Sequence, residues 1–459
     1  MKKIAVIGFG ISGQAIARYF LKEKKQVFVF DSKSREDFNE KVLKDFEGLN
    51  DFNLNFGSTE FDETEFDLIM VSPGVPLNLP VLVRAKEKNI LIKNDITLFI
   101  EKWREVGPVV GVTGSNGKTT IVNLIQTYLK GVGIKSILAG NIGNSPLSEI
   151  GRHKKGTIAV LELSSYQLES FAPEHYLDVC LISNLSSNHL DRYGGSMDKY
   201  AEAKMMGIDN KETKVVICSD DEGIKKYVMP KLKTKNISLV SLETPIDQVI
   251  QDGVYLDSEN DLVVSNNQQL FKVFNDIENR KLTGTHNLYN IAASYGVLNK
   301  LNADLSHEQI TRNFEGLEHR IEFVREIDGV KYINDSKSSS PDATRAAIES
   351  LTKTKNIILI LGGNDKGMKF DLLNEYIREN VKQIILLPGD IDEKIKKEFS
   401  DLDIKEFENL EQVINFTKEI SEKGDIVLLS PAATSFKLYK NYEERGEHFR
   451  EIVNKLDEN

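Results

Sequence analysis

Val109-Val110-Gly111-Val112-Thr113-Gly114-Ser115-Asn116-Gly117-Lys118-Thr119-Thr120 is the stretch on which the fold turns. An apolar run, Val109–Thr113, reads as a strand, and a helical pattern opens directly after Lys118. Between them lies a loop that we read as G-x-x-x-x-G-K-[ST], with Gly111 as the first glycine and Gly117 as the last. Such glycines let backbone N–H groups close around phosphate oxygens, and the following helix turns its positive end toward them. Lys118 is suited to reach the β and γ phosphates, and the Thr119 hydroxyl suits Mg²⁺. ATP is therefore the expected ligand of Gly114, Ser115, Asn116, Gly117, Lys118, Thr119 and Thr120. A carboxylate must accompany the metal. Glu162 closes the next apolar strand, Thr157–Glu162, where strand C-termini meet a ligand crevice. The duller account is that it caps the following segment.

On both sides of this loop, short apolar runs alternate with helical patterns, the signature of parallel sheets covered by helices. Upstream, Lys3–Ile7 and Gln26–Phe30 read as strands around a helix at Ala15–Leu21. Asp67–Val71 is a further strand, stopped by Ser72-Pro73-Gly74-Val75-Pro76. Downstream, Val179–Asn184 continues the central series, and Gln251–Val273 alternates polar and apolar residues as a small antiparallel excursion would. A third series has strands at Val330–Asn334, Asn356–Leu361, Gln383–Leu387 and Asp425–Leu429. The 459 residues suit three domains at roughly 150 residues each. We expect an α/β protein with an N-terminal Rossmann-like domain over 1–97, a central P-loop domain over 98–316, and a C-terminal α/β domain over 317–459.

Composition narrows the function classes. Lys plus Arg number 59 and Asp plus Glu 70, a net charge of −11. That balance disfavours nucleic acid and anionic membranes as partners, since both are held chiefly by Lys and Arg. No window approaches the run of about 18 apolar residues that a membrane span needs. Gly8, Gly10, Ser12 and Gln14 break the N-terminal apolar run, so a secretion signal is not expected. Cys180 and Cys218 lie in strand-like runs without C-x-x-C spacing, as reduced buried thiols do. A cytoplasmic, monomeric protein is the expectation.

Gly8-Phe9-Gly10-Ile11-Ser12-Gly13 follows the first strand and opens a helix, and Asp31 ends the second strand. Alone this is a dinucleotide fingerprint, with Asp31 on a ribose hydroxyl. It specifies a phosphate near a helix N-terminus and does not separate NAD from another nucleotide diphosphate. Glycines that merely let helix and strand pack closely would leave the same pattern.

Glu162-Leu163-Ser164-Ser165-Tyr166-Gln167-Leu168-Glu169 makes the reading specific. With it, in order along the chain, come Gly140-Asn141-Ile142-Gly143, Asn188-His189-Leu190-Asp191, Ala203-Lys204, His286-Asn287-Leu288-Tyr289-Asn290 and His319-Arg320. Asn334-Asp335-Ser336-Lys337, Leu361-Gly362-Gly363 and Ser430-Pro431-Ala432-Ala433-Thr434-Ser435 complete the series. Together they resemble the Mur ligases, and among them the members that add D-glutamate. The resemblance covers all three domains.

The resemblance implies a UDP-sugar in the first domain: the substrates would be UDP-N-acetylmuramoyl-L-alanine, D-glutamate and ATP. Residues matching the uridine and diphosphate contacts are Ile11, Ser12, Asp31, Ser32, Lys33, Ser72 and Asn141. ATP would also meet Asn290, Arg320 and Asp335. Two Mg²⁺ ions would be held by Thr119, Glu162, His189 and Lys204. In the family the lysine matching Lys204 is carbamylated; by itself Lys204 also reads as a lysine on an amphipathic helix with Tyr200 and Ile208. D-glutamate would meet Lys337, Ser339, Lys366, Ser435, Phe436 and Tyr442. Lys118, His189, Lys204 and Lys337 would carry the chemistry, an amide bond formed through an acyl phosphate. Two positions depart from the family: Asn188 stands where Asp is usual before His, and Ser339 stands for a common Thr. Other ligases of the superfamily are rivals. So is an NAD-dependent oxidoreductase, which leaves the P-loop and the third domain without a purpose.

Overall fold

The computed structural model describes residues 2–38, 40–142, 145–172, 175–186, 190–234, 236–246, 251–282, 284–351, 354–364, 370–435 and 438–456. The chain forms two compact units, 1–314 and 315–459.

The first unit holds two sheets. The smaller contains β1 (Lys3–Ile7), β2 (Gln26–Asp31), β3 (Phe52–Phe56), β4 (Leu68–Val71) and β5 (Ile92–Lys93), all parallel in the order β3-β2-β1-β4-β5. Helices cover both faces of the central strands, so β1 is apolar almost throughout, whereas edge strand β3 alternates Phe and Asn. Ile7 stands in register with both Phe30 and Val71. Gly8, Asp31 and Ser72 therefore leave the sheet on one edge, where the strand order reverses and ligand crevices form.

The larger sheet contains β6 (Val109–Thr113), β7 (Ser136–Gly140), β8 (Ile158–Glu162), β9 (Val179–Ile182), β10 (Lys214–Cys218), β11 (Ile237–Pro245), β12 (Gly253–Leu256), β13 (Leu262–Asn266) and β14 (Gln269–Phe274). Its order is β14-β13-β12-β11-β10-β9-β6-β8-β7. The strands are parallel from β7 to β12, and β12, β13 and β14 form the expected antiparallel excursion. β6 and β8 are buried at every residue, as strands covered on both faces must be.

One apolar mass runs through both sheets. It takes Phe9, Ile16 and Phe20 from the first and Val110, Ile121 and Leu161 from the second, with Ile96, Phe99 and Trp103 of the helix Asp95–Trp103 in the same cluster. The turn Pro146–Glu149 packs on that helix and on the helix Ile11–Lys22.

The second unit is built on β15 (Glu322–Ile327), β16 (Val330–Asn334), β17 (Ile357–Leu361), β18 (Val381–Leu386), β19 (Ile404–Glu406) and β20 (Ile426–Leu429), ordered β15-β16-β20-β17-β18-β19. Asp328 and Gly329, both at positive φ, make the two-residue turn that folds β15 antiparallel onto β16. The remaining pairs are parallel, and helices bury apolar clusters on either face. Among the described residues no helix is long and apolar enough to cross a membrane.

Candidate active site

The loop after β6 gives the site its shape. Gly114 has φ +143° and Gly117 φ +81°, conformations that L side chains rarely adopt. A Cβ at Gly114 would overlap Ser183 Oγ, and one at Gly117 would overlap Asn290 Oδ1. Gly111 needs correcting. Five residues separate it from Gly117, one more than the pattern holds, and it lies inside β6 against Leu163 and Leu177. Gly114 is the glycine that opens the loop.

The loop is held from β9's end. Asn116 N–H donates to Asn184 Oδ1 (2.8 Å), Ser183 Oγ donates to Asn116 O (2.8 Å), and Ser186 N–H donates to Ser115 Oγ (2.9 Å). Tyr200 approaches Ser115 Oγ at 3.3 Å. These four supports escaped the sequence reading, because Ser and Asn past a strand end, and a Tyr on the helix Met197–Met205, carry no distinctive spacing.

At the start of the helix Lys118–Gly131, Lys118 Nζ donates to Gly114 O (3.0 Å) and Ser115 O (2.8 Å), folding over the loop mouth. Thr119 Oγ1 donates to Glu162 Oε2 at 2.6 Å, and Asn141 Nδ2 donates to Glu162 Oε1 at 3.1 Å. Register explains the meeting: Val112 pairs with Glu162, and Glu162 with Gly140. Glu162 is 3% exposed, and among the described residues no ammonium or guanidinium forms an ion pair with it. A buried carboxylate beside a hydroxyl, both oxygen donors, fits a hard divalent cation. Asn141, expected among the UDP contacts, stands beside this carboxylate.

Lys204 points inward. It is 2% exposed, and its Nζ donates to Gly114 O at 2.9 Å, above the Tyr200 ring. Burial, with the Lys118 ammonium nearby, holds this amine well below the ordinary lysine range. It is not a solvated helix lysine. Asn290 is buried against Gly117 and donates to Asn287 Oδ1 at 3.0 Å. Thr120 is partly buried on the same helix.

The first sheet's edge is tightly wired. Asp31 Oδ2 accepts from Phe9 N–H (2.6 Å) and Oδ1 from Lys33 N–H (2.9 Å), so this carboxylate fixes the glycine loop itself. A Cβ at Gly13 would overlap Gly8 O, and Ser72 Oγ donates to Gly8 O at 3.0 Å. Gly13 thus does serve close packing. Ile11 is 77% exposed at the helix start, with Ser32 and Lys33 also open to solvent. Ser12 hydrogen-bonds the buried Asp95, whose carboxyl burial pushes up.

Arg192 ties the two sheets together. Its guanidinium pairs with Glu169 (2.7 Å), stacks on Tyr166, and donates to Gly74 O (3.3 Å) and Val75 O (3.2 Å) beyond β4.

In the second unit, Asn334 pairs with Leu429, so the segments after β16 and β20 leave on one edge. Asp335 Oδ2 accepts from Ser430 Oγ (2.7 Å) and Oδ1 from Ile321 N–H (3.2 Å). Burial pushes its carboxyl up to about 6, against the pull of Arg320. Lys337 Nζ lies 5.6 Å from the Tyr442 ring, Ser339 is partly buried, and Ser435 is buried. Asn188, His189, Lys366 and Phe436 lie outside the described residues.

Comparison with known proteins settles the kinship. A MurD-like N-terminal domain profile of the Mur ligases matches residues 2–94, the Mur ligase middle domain 112–298, and the Mur ligase glutamate ligase domain 319–433. The chain is 36% identical to the UDP-N-acetylmuramoylalanine–D-glutamate ligase of Christiangramia forsetii, over 99% of this chain and 100% of that one. The chain belongs to the Mur ligase family. Another Mur ligase of the same name, from Clostridium perfringens, is 34% identical over 99% of this chain and 97% of its own. Among solved structures, a MurF ligase from Thermotoga maritima in complex with ADP superposes with a TM-score of 0.52 at 21% identity, covering 94% of this chain and 96% of that one. A pseudomurein peptide ligase from Methanothermus fervidus gives 0.52 at 18% identity with 100% coverage of both. At such identities these structures speak for the Mur ligase fold, which this chain shares.

Proposed function

We propose that the chain joins D-glutamate to the L-alanyl carboxylate of UDP-N-acetylmuramoyl-L-alanine while converting ATP to ADP and phosphate, in the cytoplasmic stage of peptidoglycan synthesis. The observation that carries this reading is the Thr119–Glu162–Asn141 chain beside the Lys118 loop, in a sequence that follows the D-glutamate-adding ligases from end to end. Residues 1–97 would hold the UDP moiety at the edge marked by Ile11, Ser12, Asp31, Ser32, Lys33 and Ser72. Residues 98–316 would hold ATP, and 317–459 D-glutamate through Lys337, Ser339, Lys366, Ser435, Phe436 and Tyr442.

A carboxylate is a poor electrophile at neutral pH. Its oxygen therefore first takes the γ-phosphoryl group as the bond to the β-γ bridging oxygen breaks and ADP departs. The D-glutamate nitrogen then attacks the acyl carbon, loses a proton, and phosphate leaves with the electrons of its C–O bond. The chain's work is positioning and charge neutralisation. Lys118 brings a cation to the γ-phosphate, and the Gly114–Gly117 amides surround the chain of phosphates. Asn290, Arg320 and Asp335 would fix the nucleotide. Thr119 and Glu162, with His189, would hold Mg²⁺, which when bound offsets charge on the phosphates. Lys204 would take up CO₂ as a carbamate, its amine losing a proton to solvent as the N–C bond forms, and the carbamate oxygen would offer the metal an anionic ligand where an ammonium would be repelled. Lys337 and His189 would face the developing oxyanion.

The test is phosphate release with UDP-N-acetylmuramoyl-L-alanine and ATP, comparing D-glutamate with L-glutamate, L-alanine and diamino acids. Release that depends on D-glutamate alone is expected. Equal release with a diamino acid, or thermal protection by NADH instead of the UDP-sugar, would overturn the reading.

A further inference from the structure

Arg445 lies in the helix Tyr442–Asn454, within a run of polar residues that would ordinarily face water. Instead it is 2% exposed. Its guanidinium grips three separate segments. Nε donates to Ser336 Oγ (3.0 Å) and Nη2 to Ser336 O (2.8 Å), between Asp335 and Lys337. Nη1 donates to Gly362 O (3.3 Å) just beyond β17, and Nη2 to Ala433 O (3.3 Å), two residues before Ser435. Ser336 Oγ in turn donates to Tyr442 O at 2.8 Å. Gly362, Gly363, Ser435 and Arg445 line one narrow slot.

Stability alone is a poor reason to bury this charge. Desolvating a cation costs several kcal/mol, and apolar replacement of buried ion pairs is often neutral or stabilising. Among the described residues no carboxylate pairs directly with Arg445; the acceptors are neutral oxygens. Burial lowers the guanidinium to about 10, so it stays charged at neutral pH. What it achieves is geometric. Each carbonyl turned toward the fork fixes its planar peptide unit, and with it the direction in which the next residue leaves. The segments so fixed carry Lys337, Gly363 and Ser435, of which Lys337 and Ser435 are assigned to the amino-acid substrate.

We infer that Arg445 is a positioning residue for the D-glutamate site, setting the spacing of the segments around Ser336, Gly362 and Ala433 that recognise the dicarboxylate. The inference rests on the proposed activity. Lysine in its place keeps charge but loses the fork, because an ammonium is a point donor without planar geometry.

The experiment compares wild type, Arg445→Lys and Ser336→Ala in the phosphate-release assay, with melting curves as folding controls. Arg445→Lys should raise KM for D-glutamate about ten- to a hundredfold, the range of losing charge-assisted hydrogen bonds. KM for ATP and for the UDP-sugar should stay within about twofold, and L-glutamate should be rejected less sharply. Ser336→Ala, which removes the hydroxyl that accepts from Nε and donates to Tyr442 O, should raise the same KM about threefold to tenfold. It serves as the deciding variant if Arg445→Lys does not fold. A lower melting temperature with all three KM values unchanged, or rising together, would overturn the inference. Were the wild type to use another amino acid, the activity reading would fall, while a selective rise in that amino acid's KM would still uphold the role of Arg445.

Discussion

Replacing Lys204 by Met should stabilise the apoprotein and abolish its chemistry. Met nearly matches the lysine stem in length, so packing beside Tyr200 is kept. The lost bond is the 2.9 Å contact to Gly114 O, which still accepts from Lys118 Nζ at 3.0 Å, so no carbonyl is orphaned. One such bond is worth about 1–3 kcal/mol. Against it stands the cost of taking the ammonium out of water, raised by burial and by the nearby Lys118 ammonium, an effective penalty of several (about 3–5) kcal/mol for a buried ion. The balance favours Met by roughly 1–3 kcal/mol near pH 7, a rise in Tm of about 2–6 °C.

The pH dependence identifies the cause. Lys204 is depressed when folded, so between its folded pKa and the ordinary 10.5 the unfolded chain binds more protons. Wild-type stability therefore climbs with pH across that window, and the advantage of Met, largest at low pH, shrinks toward pH 10. Differential scanning calorimetry in bicarbonate-free buffer from pH 6 to 10 reads this directly. Turnover should fall below about 1% in Lys204→Met and resist short carboxylates, because the Met side chain fills the space. Lys204→Ala leaves that space open and should regain partial activity with acetate. A Met variant that melts lower at every pH, or that turns over normally at low Mg²⁺, would refute the reasoning.

Lys118→Ala should cut ATP-dependent ligation at least about a thousandfold and leave UDP-sugar affinity within about twofold by calorimetry, since that ligand is assigned to the other sheet. Asp31→Ala should weaken UDP-sugar binding without changing ATP affinity. Because Asp31 holds Phe9 N–H and Lys33 N–H, it should also cost about 1–3 kcal/mol in urea unfolding. Gly117→Ala should lower ATP affinity more than tenfold by ligand-induced melting shift, because its φ of +81° and Asn290 Oδ1 both exclude a Cβ.

The elements legible beforehand share a cause. β1, β6, β8 and β17 are buried runs of apolar residues, and a parallel sheet covered on both faces demands just that. β3 escaped because its Phe-Asn-Leu-Asn-Phe alternation belongs to a half-exposed edge, and β5 because two residues make no pattern. Glu162 was legible from its place at the end of β8's apolar run and Lys204 through resemblance to the family, whereas the wiring around them was not. Asn184 supports Asn116 across 68 positions of sequence, a pairing no local spacing announces. Arg445 was hidden by its own neighbourhood: Glu443, Glu444 and Glu447 made its helix look wholly solvated.

The apolar mass shared by the first two sheets bears on how such a gene can be recombined. Phe9, Ile16 and Phe20 belong to the same oil drop as Trp103, Val110 and Ile121, and Arg192 clasps the chain beyond β4 from the other side. The N-terminal ninety residues are therefore no interchangeable cassette. A crossover grafting them from a distant relative would have to carry the facing half of the seam along with it, the helix Asp95–Trp103 and the turn Pro146–Glu149 included, or leave large aromatic side chains against a surface shaped for others.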